Sequence, residues 1–261
     1  CAVAIVLFAT PVHACTSAVV SGKVTLDGRP LLWKNRDTDF MRNHVDYVKG
    51  ERYDFIAVVN SANAYLKEAW MGTNSAGFAL MNTQSYNLVD VKGDEERGAA
   101  NGRVIYRALE VCATVEDFCH FLDTISKPSD IEANFGVIDA QGGAAMFEVD
   151  YYKYVMYDAN NPKDAPYGYI ARTNFSFAGK VNEGAGYVRY MEADQVLMKA
   201  SATGNITPQF IFNDLSRSFR NRMLDIDLRS GGYNRPQASG WFIDQDFIPR
   251  SSTSCSVVVQ G

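Results

Sequence analysis

Val12-His13-Ala14-Cys15-Thr16-Ser17, read together with Asn35-Arg36-Asp37-Thr38-Asp39, is the stretch on which the fold turns. The first nine residues carry no polar side chain apart from the thiol of Cys1, and residues 12–14 form a small-residue pattern that fits a signal-peptidase site. The apolar run is too short to cross a bilayer as a helix. No Met and no basic segment precede it, so the sequence reads as clipped at its start. Removal of 1–14 as a leader would leave a domain over 15–261 that begins on Cys15, with a thiol and a free α-amine on one carbon.

That pairing has a chemical use. A thiol is mostly protonated at neutral pH and needs a base. An α-amine titrates at about 7.7–8.0 and can take the proton itself. It then replaces the histidine of a Cys–His pair. The chain has three histidines; His13 leaves with the leader, and neither His44 nor His120 lies in a motif that directs it to Cys15. On Cys15 alone three readings stand side by side: a nucleophile, a lipid anchor in a lipobox-like Val12-His13-Ala14-Cys15, and a structural thiol beside a cleavage site.

Downstream, Asp27-Gly28 is a hairpin signal between two strand-like runs. The hairpin would return the chain so that Arg36 and Asp39 lie near Cys15. A guanidinium favours a thiolate and a carboxylate can hold the α-amine; a surface turn with ordinary charges is the plain alternative. Residues 55–60 read as a short buried strand, and 68–83 as strand, turn, strand with Asn74 to Gly77 in the turn. Asn82 ends an apolar strand, as a cap or facing a cleft. The pattern recurs at Asn174, after the strand-like 168–173. Two strand-end asparagines could supply an oxyanion hole from a side-chain amide and a backbone N–H.

The region 98–125 has helical spacing, with Thr114 as an N-cap followed by Asp117. In an unbroken helix Cys112 and Cys119 would lie about 10 Å apart, too far to bridge, and a break at Thr114 would make a bridge possible. Two core thiols is the simpler expectation, and no Cys/His cluster has zinc spacing. Residues 132–150 form a hairpin around 141–143, and 151–157 extend the β pattern. Helices are expected over 187–199 and over 208–221, the second capped by Thr207 with Pro208 in its first turn. Residues 225–240 read as a long loop, and 241–243 and 253–259 as strands; the sequence stops inside or just after the last of these and reads as clipped there too.

The 261 residues are 47% hydrophobic, enough for one large core. A net charge of −5 argues against a nucleic-acid surface. There is no Gly-rich phosphate loop and no Gly-x-Ser-x-Gly elbow. Strands at both ends with helices grouped in the middle favour an α+β sandwich.

Five pieces in this order, Cys15-Thr16-Ser17 after a cleavable leader, Asn35-Arg36-x-x-Asp39, Gly72-x-Asn74-x-x-Gly77 leading to Met81-Asn82, Arg172-Thr173-Asn174-Phe175-Ser176 and Thr253-Ser254-Cys255-Ser256-Val257, resemble the N-terminal-nucleophile hydrolases of the linear-amide group. That group includes choloylglycine hydrolase, penicillin V acylase and the isopenicillin N acyltransferases. The resemblance implies a four-layer αββα sandwich. It also implies an enzyme starting at Cys15, with Arg36 and Asp39 serving the nucleophile and its amine. Asn82 would offer its backbone N–H to the oxyanion and Asn174 its side-chain amide. The bile-salt members carry Ser-Arg-Phe-Val-Arg, against Ala185-Gly186-Tyr187-Val188-Arg189 here. With Gly186 at the first arginine position, Arg189 is the remaining candidate for a substrate contact, and the reading moves towards the acyltransferase branch. The expected reaction is cleavage of a small-molecule linear amide through a thioester opened by water or an amine. No cofactor or metal is implied, nor stable membrane insertion; a homo-oligomer stays open, and the leader points to the periplasm or the exterior. A lipoprotein binding module anchored through Cys15 is the alternative from a different class.

Overall fold

The structure, a computed structural model, describes residues 14–90, 98–230 and 244–261. Residues 1–13 of the expected leader, part of the expected 225–240 loop and the expected strand at 241–243 lie outside the described residues.

Two antiparallel sheets dominate. Strands β1 (Ala14–Val20) and β2 (Leu31–Asp37) form the expected hairpin, in register from Val20↔Leu31 to Ala14↔Asp37. Gly28, at φ 78°, takes the left-handed backbone that its connection needs. The second sheet runs through β3 (Asn43–Val48), β4 (Phe55–Asn60), β5 (Met71–Asn74), β6 (Ala79–Gln84), β7 (Ala133–Ile138), β8 (Ala144–Val149) and β9 (Tyr154–Asp158), neighbours in space as in sequence. The chain then returns to the first sheet with β10 (Tyr169–Arg172), adds the small hairpin β11 (Arg220–Asn221) and β12 (Ile226–Asp227), and ends in β13 (Thr253–Gln260). The first sheet has the order β10-β1-β2-β13.

Side-chain alternation turns these sheets into layers. From β1 and β2, Ala18, Val20, Leu31 and Trp33 face helix α3 (Tyr187–Ser201) and the Ile211–Leu215 turn, where they form one buried cluster. The alternate residues, Val19 and Leu32, meet Met71, Met81, Ile138 and Met146 of the second sheet in another. The far face of that sheet, with Phe55, Leu80, Phe135 and Phe147, is covered by α1 (Asn101–Val111) and α2 (Val115–Thr124) in a third. Three clusters separate four layers, helix–sheet–sheet–helix.

Packing between the sheets is close enough to require a glycine. A Cβ at Gly136 would stand 2.3 Å from Met81 Cε and 2.9 Å from both Leu32 Cδ1 and Val19 Cγ2. Gly136→Val is expected to destabilise the fold by about 1–3 kcal/mol through overpacking. Denaturant unfolding checks this, and an unchanged midpoint would contradict the tight inter-sheet contact.

The region 98–125 is two helices, broken at Cys112–Thr114. Thr114 is the expected N-cap, in a reciprocal capping box with Asp117. Cys112 and Cys119 are both free despite the break, and burial pushes the Cys112 thiol up to about 12. The helix expected over 208–221 is shorter. Thr207 caps it, but it spans Pro208–Phe210, widens to a π turn over Ile211–Leu215 and stops. Tertiary hydrogen bonds replace its next turn. Asn35 Nδ2 donates to Ser216 O, Trp33 Nε1 to Ser216 Oγ, and Ser218 Oγ to Glu192 Oε1.

Candidate active site

The layer between the sheets changes character along its length. The residues of β1 that point into it are Val19, Ser17 and Cys15; those of β2 are Leu32, Lys34 and Arg36; those of β13 are Val259, Val257 and Cys255. At one end the rows are apolar and sealed. At the other, Cys15, Arg36 and Cys255 stand in one row across three strands.

Cys15 is 8% exposed, and its nitrogen donates to Asn174 Oδ1 at 3.0 Å. With Ala14 still attached, that nitrogen is a peptide amide, which has no base function. Arg189, from the first turn of α3, clamps the same spot from the helix side. Its Nη1 donates to Cys15 O at 2.6 Å and Thr16 Oγ1 at 2.8 Å, and its Nη2 to Asn174 Oδ1 at 2.7 Å. Burial lowers the Arg189 guanidinium to about 10, which leaves it charged at neutral pH.

Arg36 lies directly opposite Cys15. Its Nη2 donates to Asn60 Oδ1 at 2.7 Å, its Nη1 to Asn43 Oδ1, and its guanidinium rests 4.8 Å from the centre of the Trp70 ring. Lys34 is one inward position deeper. Its ammonium donates to Asn82 Oδ1 at 2.9 Å and Trp70 O at 3.0 Å. Burial lowers it to about 8, against a favourable opposing effect of the Cys15 sulfur.

Asp39, expected beside the nucleophile, is instead exposed past the end of β2 and makes no side-chain hydrogen bond among the described residues. The strand's alternation stops at Asp37, and the chain turns away as Phe40 N donates to Thr38 Oγ1 and Met41 N to Asp39 O. The buried carboxylate here is Asp37. It accepts from Thr253 Oγ1 at 2.5 Å and has Arg250 Nη1 at 3.7 Å, while burial raises it to about 6.

A cavity of about 380 Å³ opens over these groups. Cys15, Lys34, Arg36, Asp37 and Asn82 line it, with Phe40, Leu66 and Trp70 as an apolar wall. No cluster of His, Cys, Asp and Glu among the described residues could hold a metal ion.

Residues 25–214 match the family model described as acyl-coenzyme A:6-aminopenicillanic acid acyl-transferase. The chain belongs to this family. Two solved structures share the fold. An N-acylethanolamine-hydrolyzing acid amidase ortholog of Caenorhabditis elegans is 15% identical with a TM-score of 0.52, over 77% of this chain and 89% of the other. A thermostable penicillin G acylase of Alcaligenes faecalis is 11% identical with a TM-score of 0.52, over 78% of this chain and 52% of the other. No curated protein matches. The four layers are thus the N-terminal-nucleophile hydrolase sandwich, and the chain is an enzyme of the hydrolase and acyltransferase kind.

Within this acyl-transferase family member, the strand-end asparagines lie on different sides of Cys15. Asn82 lines the cavity; its Oδ1 takes Lys34 and its Nδ2 has no partner among the described residues. Asn174 is wholly buried behind Cys15, and its Nδ2 donates to Gln84 O at 2.8 Å. Arg189 reaches the Cys15 backbone rather than the cavity wall. Gly186, where the bile-salt motif has arginine, sits at φ 87°, and a Cβ there would come 2.4 Å from Arg189 Nη2. The glycine therefore makes room for the arginine that follows it. Asn43, Asn60, Trp70, Asp37 and above all Lys34 were not marked by any motif; the one signal for Lys34 is a lysine directly after the apolar run Leu31-Leu32-Trp33.

Lys34 carries a pH signature. Its folded value of about 8 lies below the ordinary 10.5, so the unfolded chain binds the proton more tightly between those limits. Stability should therefore rise with pH from about 8 to 10.5, by on the order of 3 kcal/mol from this group. Unfolding free energies of the wild type and Lys34→Met across that window check it; parallel curves would contradict a buried ammonium.

Proposed function

We propose that this enzyme is an N-terminal cysteine amidase or acyltransferase of linear amides, with Cys15 as nucleophile once residues 1–14 are gone, exported to the periplasm or the exterior. The observation that carries the reading is the seat of Cys15. It lies at the wall of the cavity, its nitrogen held by Asn174 Oδ1 and its carbonyl by Arg189. Cleavage before Cys15 would turn that held nitrogen into an α-amine fixed next to its own thiol. The amine takes the thiol proton, and Arg36 and Lys34 place positive charge beside the sulfur. The thiolate attacks the amide carbonyl, Asn82 faces the developing oxyanion, and the α-ammonium returns its proton to the leaving nitrogen. Water opens the thioester to an acid, or a second amine opens it to a new amide.

The buried seat of Cys15, paired with Arg36 on β2 and held by the Asn174 side chain, favours this over a lipid anchor, which needs a flexible exposed start. No helix among the described residues is long and apolar enough to cross a membrane. Intact mass and N-terminal sequencing of protein from a secreting host should give a chain that starts at unmodified Cys15. A thiol-reactive acyl probe should label it once, and not after Cys15→Ala. A lipid-sized increment on Cys15, or retention of residues 1–14 after secretion, would sink the proposal.

A further inference from the structure

The residues of β7 that face between the sheets are Asn134, Gly136 and Ile138, and in register with Asn134 stand Thr83 on β6 and Glu148 on β8. All three members of that row are polar and buried, in a layer otherwise built from Val19, Leu32, Met81 and Met146. Burying a polar side chain is costly unless its groups are bonded, so the partners show what the row holds. Glu148 and Asn134 both hold the segment 172–178, which leaves β10 and carries Asn174. Arg172 Nε donates to Glu148 Oε1 at 2.6 Å, and Phe177 N and Ala178 N donate to the same carboxylate at 2.9 and 2.7 Å. Asn134 Nδ2 donates to Thr173 O and Phe175 O at 3.2 Å each and to Thr83 Oγ1 at 3.1 Å. Asn134 Oδ1 accepts from Ser176 Oγ at 2.6 Å.

One amide thus grips the peptide on both sides of Asn174. The ladder of β1 and β10 ends at Ser17↔Arg172, so strand pairing no longer fixes the chain there. A single bridge follows it, in which Asn174 N donates to Ala185 O and Ala185 N to Asn174 O. One bridge alone lets residue 174 turn about the strand axis; carbonyls held before and after it remove that freedom. The grip aims the Asn174 side chain, whose Oδ1 accepts from Cys15 N at 3.0 Å and from Arg189 Nη2 at 2.7 Å. Carbonyls can only accept, so the group that faces both of them has to be a donor, and the Asn134 amide supplies it while its oxygen serves Ser176.

Building on the amidase reading, we propose that Asn134 is a positioning residue of the reaction. By holding the carbonyls on either side of Asn174 it aims the Asn174 oxygen at the nitrogen of Cys15, so that the second sheet sets the geometry of a nucleophile carried by the first. Once that nitrogen is an α-amine, an oxygen that accepts from it favours the ammonium form. The proton of that ammonium comes from the thiol, which is left as thiolate. A displaced Asn174 returns the pair towards neutral amine and neutral thiol.

The mature chain beginning at Cys15, alkylated with iodoacetamide and followed at Cys15 by peptide mass, tests this without a substrate. Asn134→Ala should slow alkylation at pH 7 by about tenfold, one pK unit in the balance between thiol and amine, and should match the wild type at pH 10.5, where the thiol is ionised in both. Thr83→Val, which removes a partner of Asn134 that touches neither carbonyl, should stay within about twofold of the wild type at both pH values. A merely structural asparagine predicts the opposite sign, because a loosened fold exposes a buried thiol and speeds its alkylation. Rates unchanged at pH 7, rates raised at both pH values, or an equal slowing by Thr83→Val each overturn the proposal. If Asn134→Ala does not fold, Asn134→Ser keeps one donor and should slow the pH 7 reaction by about threefold; no slowing there overturns it as well. Hydrolysis of N-hexanoyl-p-nitroanilide separates the proposal from the reading beneath it. Turnover by the wild type with alkylation unchanged in Asn134→Ala keeps the amidase and removes the positioning role. Slowed alkylation with no turnover by the wild type keeps the positioning role and counts against the amidase.

Discussion

Cys15→Ala is expected to lower kcat by about 10⁴-fold or more, the scale of removing a nucleophile that works as a unit with its base. Nothing described in the structure can replace it. Cys255 is the nearest other thiol in the row, but Arg36 on β2 stands between the two cysteines and burial pushes the Cys255 thiol up. Cys112 lies in the core under α1 and Cys119 against Met156 on the opposite side of the second sheet. The acyl-enzyme should vanish with the turnover, so single-turnover kinetics and intact mass under a slow substrate read the same event. A Cys15→Ala protein that kept a tenth of the activity would end the N-terminal-cysteine mechanism outright.

Arg189→Met should follow, with kcat down about 10²-fold and KM nearly unchanged, because on the proposed reading the arginine acts by fixing the strand that carries Cys15, whose carbonyl it holds. Two effects compete in its stability. Three charge-assisted hydrogen bonds disappear, and so does a buried cation whose contacts are all neutral oxygens. The hydrogen bonds win by a small margin, for a loss of about 1–3 kcal/mol. Arg189→Lys should recover part of the rate, since one donor can still reach Cys15 O, and Gly186→Ala should impair kcat in the same manner by displacing the guanidinium. A rise in KM with kcat intact would instead place Arg189 on the substrate.

The sandwich was legible because its signals are local. Asp27-Gly28 marks the hairpin, alternation marks the strands, and Thr114 with Asp117 marks the helix break. Strand pairing then carries Arg36 opposite Cys15 with no further information. Parity explains what was not legible. Asp37 and Asp39 share one parity and only the end of β2, set by the turn at Thr38, decides which is held in place. Asn43, Asn60 and Trp70 reach Arg36 from the other sheet, and no spacing along the chain records how two sheets face each other. The helix over 208–221 was overdrawn for a related reason: Asn35, Trp33 and Glu192 claim Ser216 and Ser218 from a distance.

The sealed apolar end of the inter-sheet layer bears on the acyl group. Val19, Leu32 and Met81 are fully buried, and the cavity stops short of them at Lys34 and Asn82. Among the described residues the acyl tail of the proposed substrate has no tunnel inward and would grow out towards Phe40 and Leu66, which are 41% and 43% exposed. Each added methylene there trades water for a wall still half in water, and gains less than the roughly 0.8 kcal/mol of full burial. On the proposed reading, lengthening the acyl chain should then bring returns that flatten within a few carbons.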